Sequence, residues 1–356
     1  MAQRVKARTG GSLVAESLEA VGAEVAFGVP GIHALPIWEG LRKSLVRAVG
    51  LRTELDAGFA ADGYARASGR PAPLLLSTGP GALISLAALM EAASAHVPVV
   101  AIASQIPSDL IGRGRGFLHE LPDQQASFSP VVKWTAQAAT PADIPGLVAE
   151  AWRRSLTPPS GPVFLEIPVD VLAGGTDAAR VGELDTTPPE PALPPVEALD
   201  EAARLLTEAE RPVVWAGGGV LRAGAWEELR ALAERLGAPV ATTYMGKGAF
   251  PEDHPLSAGS GCDEAGYREL VGGADVLLAV GTELGAETTG QYELRLSGRL
   301  IHVDAAPERI GATYPALGLV GDARAVLAAL LDPLGDARSR EEGERAVAEL
   351  RARVAA

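Results

Sequence analysis

Apolar and polar positions along the chain follow two periods that take turns. Residues 12–21 carry apolar side chains at helical spacing, 25–29 form a short apolar block ending at Pro30-Gly31, and 34–44 return to the helical pattern. That alternation is the rhythm of an α/β protein. The runs at 73–77, 97–103 and 163–167 have the continuous apolar character of strands buried on both faces of a parallel sheet, so helices are expected on either side.

Between 173 and 196 the pattern collapses. Five prolines fall within positions 188–195, where neither a helix nor a central strand can continue. A second alternating unit follows, with helices expected at 196–209 and 225–236 and strands at 212–216, 240–243, 276–280 and 300–303. The predicted fold is therefore α/β, with two doubly wound parallel-sheet domains at 1–178 and 196–334. A proline-rich linker at 179–195 joins them, and a charged helix at 335–356 closes the chain. No internal repeat with a period of 20 to 50 residues is visible.

Composition narrows the partners. The 356 residues hold 31 Lys and Arg against 45 Asp and Glu, a net charge of −14, which argues against a phosphate backbone as ligand and so against nucleic acid. The single Cys262 excludes a disulfide framework and multi-cysteine metal sites. No apolar run reaches the roughly 20 residues of a membrane span. The opening MAQRVKARTGGS lacks the apolar core of a leader peptide. A reducing, cytoplasmic setting is expected. Four lysines stand beside 27 arginines, and the chain contains no asparagine, so a motif that requires Asn is absent.

Candidate chemistry concentrates in a few segments. In RTELDAGFAADGYAR, Glu54 stands where a strand end meets an Ala-rich helix. It either caps that helix, whose dipole favours an anion, or serves a site. The small residues Ala57, Gly58, Ala60 and Ala61, beside Phe59 and Tyr64, offer a close-packing face for a neighbouring helix or a second subunit. Gly79-Pro80-Gly81 makes a loop whose backbone can approach a flat heterocycle, or an ordinary turn. Gly217-Gly218-Gly219 after a strand invites a dinucleotide reading without matching GxGxxG. Asp304, at a strand end, is either a ribose-binding acid or a loop cap. Arg113 and Arg115 either bind an anionic group or stay solvated.

Taken together, these segments resemble the thiamine diphosphate-dependent enzymes of the acetolactate synthase and 2-oxo acid decarboxylase group. FGVPGIHALPIWEGL, RTELDAGFAADGYARASG, STGPGAL, ASQIP, GRGRGFLHELPDQ, PVVKW and GPVFLEIPVDV follow one another in family order. After the linker come PVVWAGGGV, PVATTYMGKGAFPEDHPLSAG, ADVLLAVGTEL, IHVDAAPERIG and LVGDARAVL. The resemblance implies an aminopyrimidine-binding domain followed by a Rossmann-like central domain. It also implies that Glu54 hydrogen-bonds N1′ of the cofactor's aminopyrimidine and favours the tautomer that removes the thiazolium C2 proton. Pro30, Gly31, Gly79, Pro80, Gly81 and Gln105 are then cofactor contacts. His33 and His119 fall where substrate is handled, and Gly217, Gly218 and Asp304 fall where some members hold FAD or ADP.

Three departures qualify the match. Ile84 stands where the family's GPGxxN pattern has Asn, and His119 and Glu120, within FLHELPDQ, replace the Phe-Gln-Glu of acetolactate synthases, which favours a decarboxylase or another carboligase. The Gly-Asp-Gly and Asn-Asn that hold the cofactor diphosphate through Mg2+ are not in the sequence, where only Gly321-Asp322-Ala323 approximates them. No metal ligand is therefore assigned. The expectation is a thiamine diphosphate site shared with a partner chain that holds the Mg2+, in a homo-oligomer or with a separate subunit, acting on a small 2-oxo acid. A split enzyme, a truncated product and a non-catalytic nucleotide-binding or regulatory subunit all remain open.

Overall fold

A computed structural model describes residues 8–354, so most of the opening stretch read for a leader lies outside the described residues. The chain divides into two compact units between Pro189 and Glu190, within a stretch, 176–195, that carries neither helix nor strand.

In the first unit, strands β1 (Val25–Gly28), β2 (Arg47–Gly50), β3 (Ala72–Leu76), β4 (Val99–Gln105), β5 (Thr135–Gln137) and β6 (Val163–Pro168) form one sheet in the order β2-β1-β3-β4-β6-β5. Every neighbouring pair is parallel. β3, β4 and β6 are buried throughout, as their largely apolar sequences require, with Ser104, Gln105 and Glu166 the polar residues buried among them. Helices α1 (Gly10–Ala20), α2 (Leu35–Leu41), α3 (Glu54–Ser68), α4 (Pro80–Ile84), α5 (Leu86–Ser94), α6 (Gln124–Phe128), α7 (Ile144–Leu156) and α8 (Val169–Ala173) supply the crossovers. Separate apolar clusters lie on its two faces, one around Leu75, Ile102 and Leu165, the other around Leu74, Leu76 and Phe164.

The second unit repeats the plan with β7 (Pro212–Ala216), β8 (Val240–Thr242), β9 (Ser257–Gly259), β10 (Val276–Val280), β11 (Arg299–Asp304) and β12 (Leu317–Val320), in the order β12-β11-β10-β7-β8-β9 and parallel throughout. Its helices are α9 (Val196–Glu208), α10 (Gly218–Arg222), α11 (Trp226–Leu236), α12 (Ala265–Gly272), α13 (Ala286–Thr289), α14 (Ala323–Leu331) and α15 (Glu341–Val354). Apolar clusters again lie on both faces. The chain is thus two doubly wound parallel α/β units, the fold class expected.

α3 shows how local sequence sets the site's frame. Thr53 is its N-cap, accepting a hydrogen bond from the Asp56 N–H at 3.1 Å, and Gly69 ends it at φ +68°, a left-handed conformation that a side chain resists. Gly58 lies so close to α5 that a Cβ there would stand 2.6 Å from the Ala88 methyl. Ala57, Gly58 and Ala61 are buried within this unit, packed toward α5, β1 and β3. Most of the small-residue face expected at a subunit boundary is therefore used up internally. Of that set only Ala60 keeps partial exposure, beside Phe59, which is 47% exposed.

Candidate active site

In a parallel sheet every strand delivers its following loop to the same edge, and a crevice opens where the strand order reverses. In the first unit that point lies between β1 and β3. β1 releases Pro30-Gly31-Ile32-His33 there, and β3 releases Ser77-Thr78-Gly79-Pro80-Gly81. The two loops press together. A Cβ on Gly31 would fall 2.1 Å from Ser77 Oγ, and one on Gly79, at φ +60°, would fall 2.4 Å from the His119 carbonyl oxygen. Glycine at these positions is a steric requirement.

Glu54, the first residue of α3, reaches the same edge. Thr53 rather than Glu54 makes the capping hydrogen bond, Glu54 lies in the first turn where the helix dipole favours an anion, and among the described residues no group hydrogen-bonds its carboxylate. Its Oε1 faces Gly81, where a Cβ would intrude to 2.8 Å. The result is a half-buried carboxylate beside a backbone stripped of side chain, the arrangement a flat ring with a hydrogen-bonding edge can enter.

His33 is 7% exposed, and its Nδ1 lies 3.0 Å from Thr78 Oγ1, which lies 2.9 Å from Ser104 Oγ. Burial first, and the nearby His119 second, hold the His33 imidazole below its ordinary value. The rings of His33 and His119 stand 5.9 Å apart, edge to face. His119 adopts φ +67°, unusual for a residue with a side chain, and its buried Nδ1 has no partner among the described residues. Both histidines therefore sit beside the Gly79 loop.

Behind this edge lies a group that the sequence reading missed. Glu166 on β6 is 2% exposed and receives amide N–H groups from Gln105 (3.2 Å), Gln124 (3.0 Å), Gln125 (3.2 Å) and Gln137 (2.9 Å). Burial pushes its carboxyl up, against the opposing pull of the glutamines. Gln105, assigned to the cofactor edge, turns its Nε2 to Glu166 and its oxygen to the Ile106 N–H at 2.8 Å. Gln124 does the same for the loop, its oxygen accepting from the Gly79 N–H at 2.8 Å. The available signal was the lone carboxylate inside the apolar run VFLEIP. Arg113 and Arg115 are exposed on a loop whose backbone N–H groups at Arg115 and Phe117 bind Glu120.

In the second unit the order reverses between β7 and β10, and Gly217 and Gly218 lie there. The Gly217 N–H donates to the Val280 carbonyl at 2.8 Å and the Gly219 N–H to the Gly281 carbonyl at 2.9 Å. Asp304 closes a turn by accepting from the Ala306 N–H at 2.8 Å. A cavity of about 370 Å3, at the opposite edge of the same sheet, is lined by Arg211, Glu269, Arg338, Glu342 and Arg345 among others. Among the described residues no group of three or more His, Cys, Asp or Glu converges as for a metal, and no helix is long and apolar enough to cross a membrane.

Comparison with known proteins places this geometry. Residues 8–127 match the N-terminal TPP-binding domain of thiamine pyrophosphate enzymes, and residues 199–330 match the central domain of those enzymes. The chain is 41% identical to a probable 2-ketoarginine decarboxylase of Pseudomonas aeruginosa, aligned over 99% of its own length and 63% of that protein's. It is 36% identical to the acetolactate synthase large subunit of Corynebacterium glutamicum, over 94% of its length and 54% of that protein's. The chain thus spans between half and two thirds of these relatives. The crystal structure of a putative thiamin diphosphate-dependent enzyme from Mycobacterium smegmatis superposes with a TM-score of 0.79 at 29% identity, covering 94% of this chain and 64% of that one. With both domain models in order, Glu54 at the switch point of the first and a parallel sheet in each, the chain belongs to the thiamine pyrophosphate enzymes.

Proposed function

We propose that this chain holds the aminopyrimidine end of thiamine diphosphate at the carboxyl edge of its first sheet and takes part in decarboxylation of a small 2-oxo acid. The observation that carries the reading is Glu54, a carboxylate left without a partner and faced by a loop that has no side chain at Gly81. Bound there, the cofactor supplies a carbanion-stabilising thiazolium. Glu54 would exchange a proton with N1′. The glycine loops of Pro30-Gly31 and Gly79-Pro80-Gly81 would give the ring room, and His33 and His119 would face the substrate. A histidine kept neutral by burial can accept or return a proton there. 2-Ketoarginine is the first substrate to assay, with acetolactate synthase-type carboligation as the second reaction.

The diphosphate and Mg2+ are assigned to a partner chain or a further segment, because the residues described here offer no metal cluster. Ile84 and Met90, 48% and 63% exposed on α4 and α5, together with Phe59 on α3, give that partner or a second copy an apolar surface beside the site. FAD or ADP on the second unit is less well supported, since two amides of its glycine run are already bonded to carbonyls. The reading places the chain in the cytoplasm. Calorimetry with thiamine diphosphate and Mg2+ tests it. Weak binding to the chain alone, with tight binding and 2-oxo acid turnover once a diphosphate-holding partner is added, is expected. Tight Mg2+-dependent binding to the chain alone would overturn the divided site, and no binding in either case would overturn the reading.

A further inference from the structure

A buried carboxylate without a cation needs a reason to be retained, because desolvation costs several kcal/mol and an apolar residue would pack as well. Glu166 is such a group: its charge is met by four neutral amides, and no Lys or Arg pairs with it among the described residues. An ionised carboxylate only accepts hydrogen bonds. Each glutamine that touches it must therefore present its nitrogen to Glu166 and turn its oxygen elsewhere. For Gln124 that constraint has a direct product. Its Nε2 is shared between Glu166 Oε2 at 3.0 Å and the Ser104 carbonyl at 3.1 Å, and its Oε1 meets the Gly79 N–H at 2.8 Å.

Gly79 opens the loop that carries Gly81 against Glu54 Oε1, and its own missing side chain leaves room for the His119 carbonyl. At φ +60° and ψ −114° its backbone lies outside the ordinary wells, so the loop depends on fixed partners. Three residues distant in sequence thus form one connection, from the interior of β6 through the start of α6 to the face of the site. We propose that Glu166 is a positioning residue for the active site, setting the amide orientation of Gln124 so that Gln124 holds the Gly79-Pro80-Gly81 loop in place opposite Glu54.

This rests on the reading of Glu54 as the cofactor-facing group, but it is decided by a measurement that needs no cofactor. In the chain as it stands, amide hydrogen exchange resolved to Gly79 is compared among variants. Glu166→Gln replaces a pure acceptor with a group that can also donate, so Gln124 loses its fixed orientation and Gly79 should exchange about tenfold faster, the loss expected for one released hydrogen bond. Gln124→Leu should do the same. Gln137→Leu is the control: it removes a bond from the same carboxylate without touching Gln124, and Gly79 should keep its wild-type rate. Should Glu166→Gln not fold, Glu166→Asp withdraws the acceptor by one methylene and serves in its place.

An unchanged Gly79 rate in the Glu166 variant overturns the proposal. Equal acceleration by Gln137→Leu also overturns it, because the effect would then be general loosening. With a diphosphate-holding partner added, the Glu166 variant should raise the KM for thiamine diphosphate more than it lowers kcat. Absence of all thiamine diphosphate activity in the wild type would retire the proposed function while the exchange result still decides the link from Glu166 to Gly79.

Discussion

The two units are built on the same plan and differ in what they leave unsatisfied. Each is a six-stranded parallel sheet whose order reverses beside a glycine-rich turn, Gly79-Pro80-Gly81 in the first and Gly217-Gly218-Gly219 in the second. In the second, the amides of Gly217 and Gly219 are bonded to carbonyls across the turn and Asp304 is committed to its own loop. In the first, the Glu54 carboxylate and the buried His119 Nδ1 have no partner among the described residues. Glycines at a switch point therefore report close backbone approach. Buried Trp215 Nε1 and His302 Nδ1 lack a partner in the second unit as well, so what sets the first edge apart is the unpartnered carboxylate that faces the bare backbone of Gly81.

The sharpest break of that contrast is chemical. In the reconstituted enzyme Glu54→Gln should lower turnover by about 10²–10⁴-fold, the range for loss of a proton-transferring group. Its urea midpoint should stay near wild type, because Thr53 keeps the helix capped. Thr53→Ala should do the reverse, costing about 1 kcal/mol of stability with turnover kept. A Glu54 variant with normal turnover would make the two edges equivalent.

Next in size is a test of the second unit's glycines as packing. A Cβ on Gly217 would fall 2.2 Å from the Gly281 carbonyl oxygen, so Gly217→Ala should cost about 2 kcal/mol or more in chemical denaturation. One on Gly218 meets first the end of the Arg222 side chain, at 2.8 Å, and Gly218→Ala should remain within about 1 kcal/mol of wild type. On the first sheet, Gly81→Ala would place a methyl 2.8 Å from Glu54 Oε1, the end of a movable side chain. It should weaken thiamine diphosphate binding about tenfold in calorimetry and barely change the melting temperature.

The smallest effect is a pH slope. His33 is held below its ordinary value near pH 6.5, so on acidification the unfolded chain takes up the proton first. Stability fully present above about pH 6.5 is then lost as pH falls toward the folded value. Urea midpoints measured between pH 8 and pH 5 should show this fall in the wild type and less of it in His33→Gln.

Much of the fold was legible because burial on both faces writes a strand as an unbroken apolar run, and β3, β4, β7 and β10 all read that way. The four edge strands β2, β5, β9 and β12 were not predicted. They are three or four residues long, and most of their residues keep some exposure, so neither length nor pattern separates them from loops. At the site, Glu54 and the glycine loops were visible from local sequence together with family likeness. The Glu166 set was not, since its members lie 29 to 61 residues from the carboxylate and are joined only by the sheet. The row Ala57, Gly58, Ala60 and Ala61 left two neighbours open for a related reason: small residues announce close packing without saying whether it is against α5, as for Gly58, or against another chain.

Holding a buried anion with amides alone has a consequence for the medium in which the protein works. Ion pairs on the surface, such as Arg204 with Glu201 and Glu208, weaken as counterions crowd around them. The glutamines around Glu166 carry no net charge, and Gln105 and Gln124 are buried with it while Gln125 and Gln137 keep some exposure, so added salt has little charge to screen along the link from Glu166 through Gln124 to Gly79. The loop that faces Glu54 should keep its shape from dilute buffer to concentrated brine, while the protein's exposed charge network is progressively switched off around it.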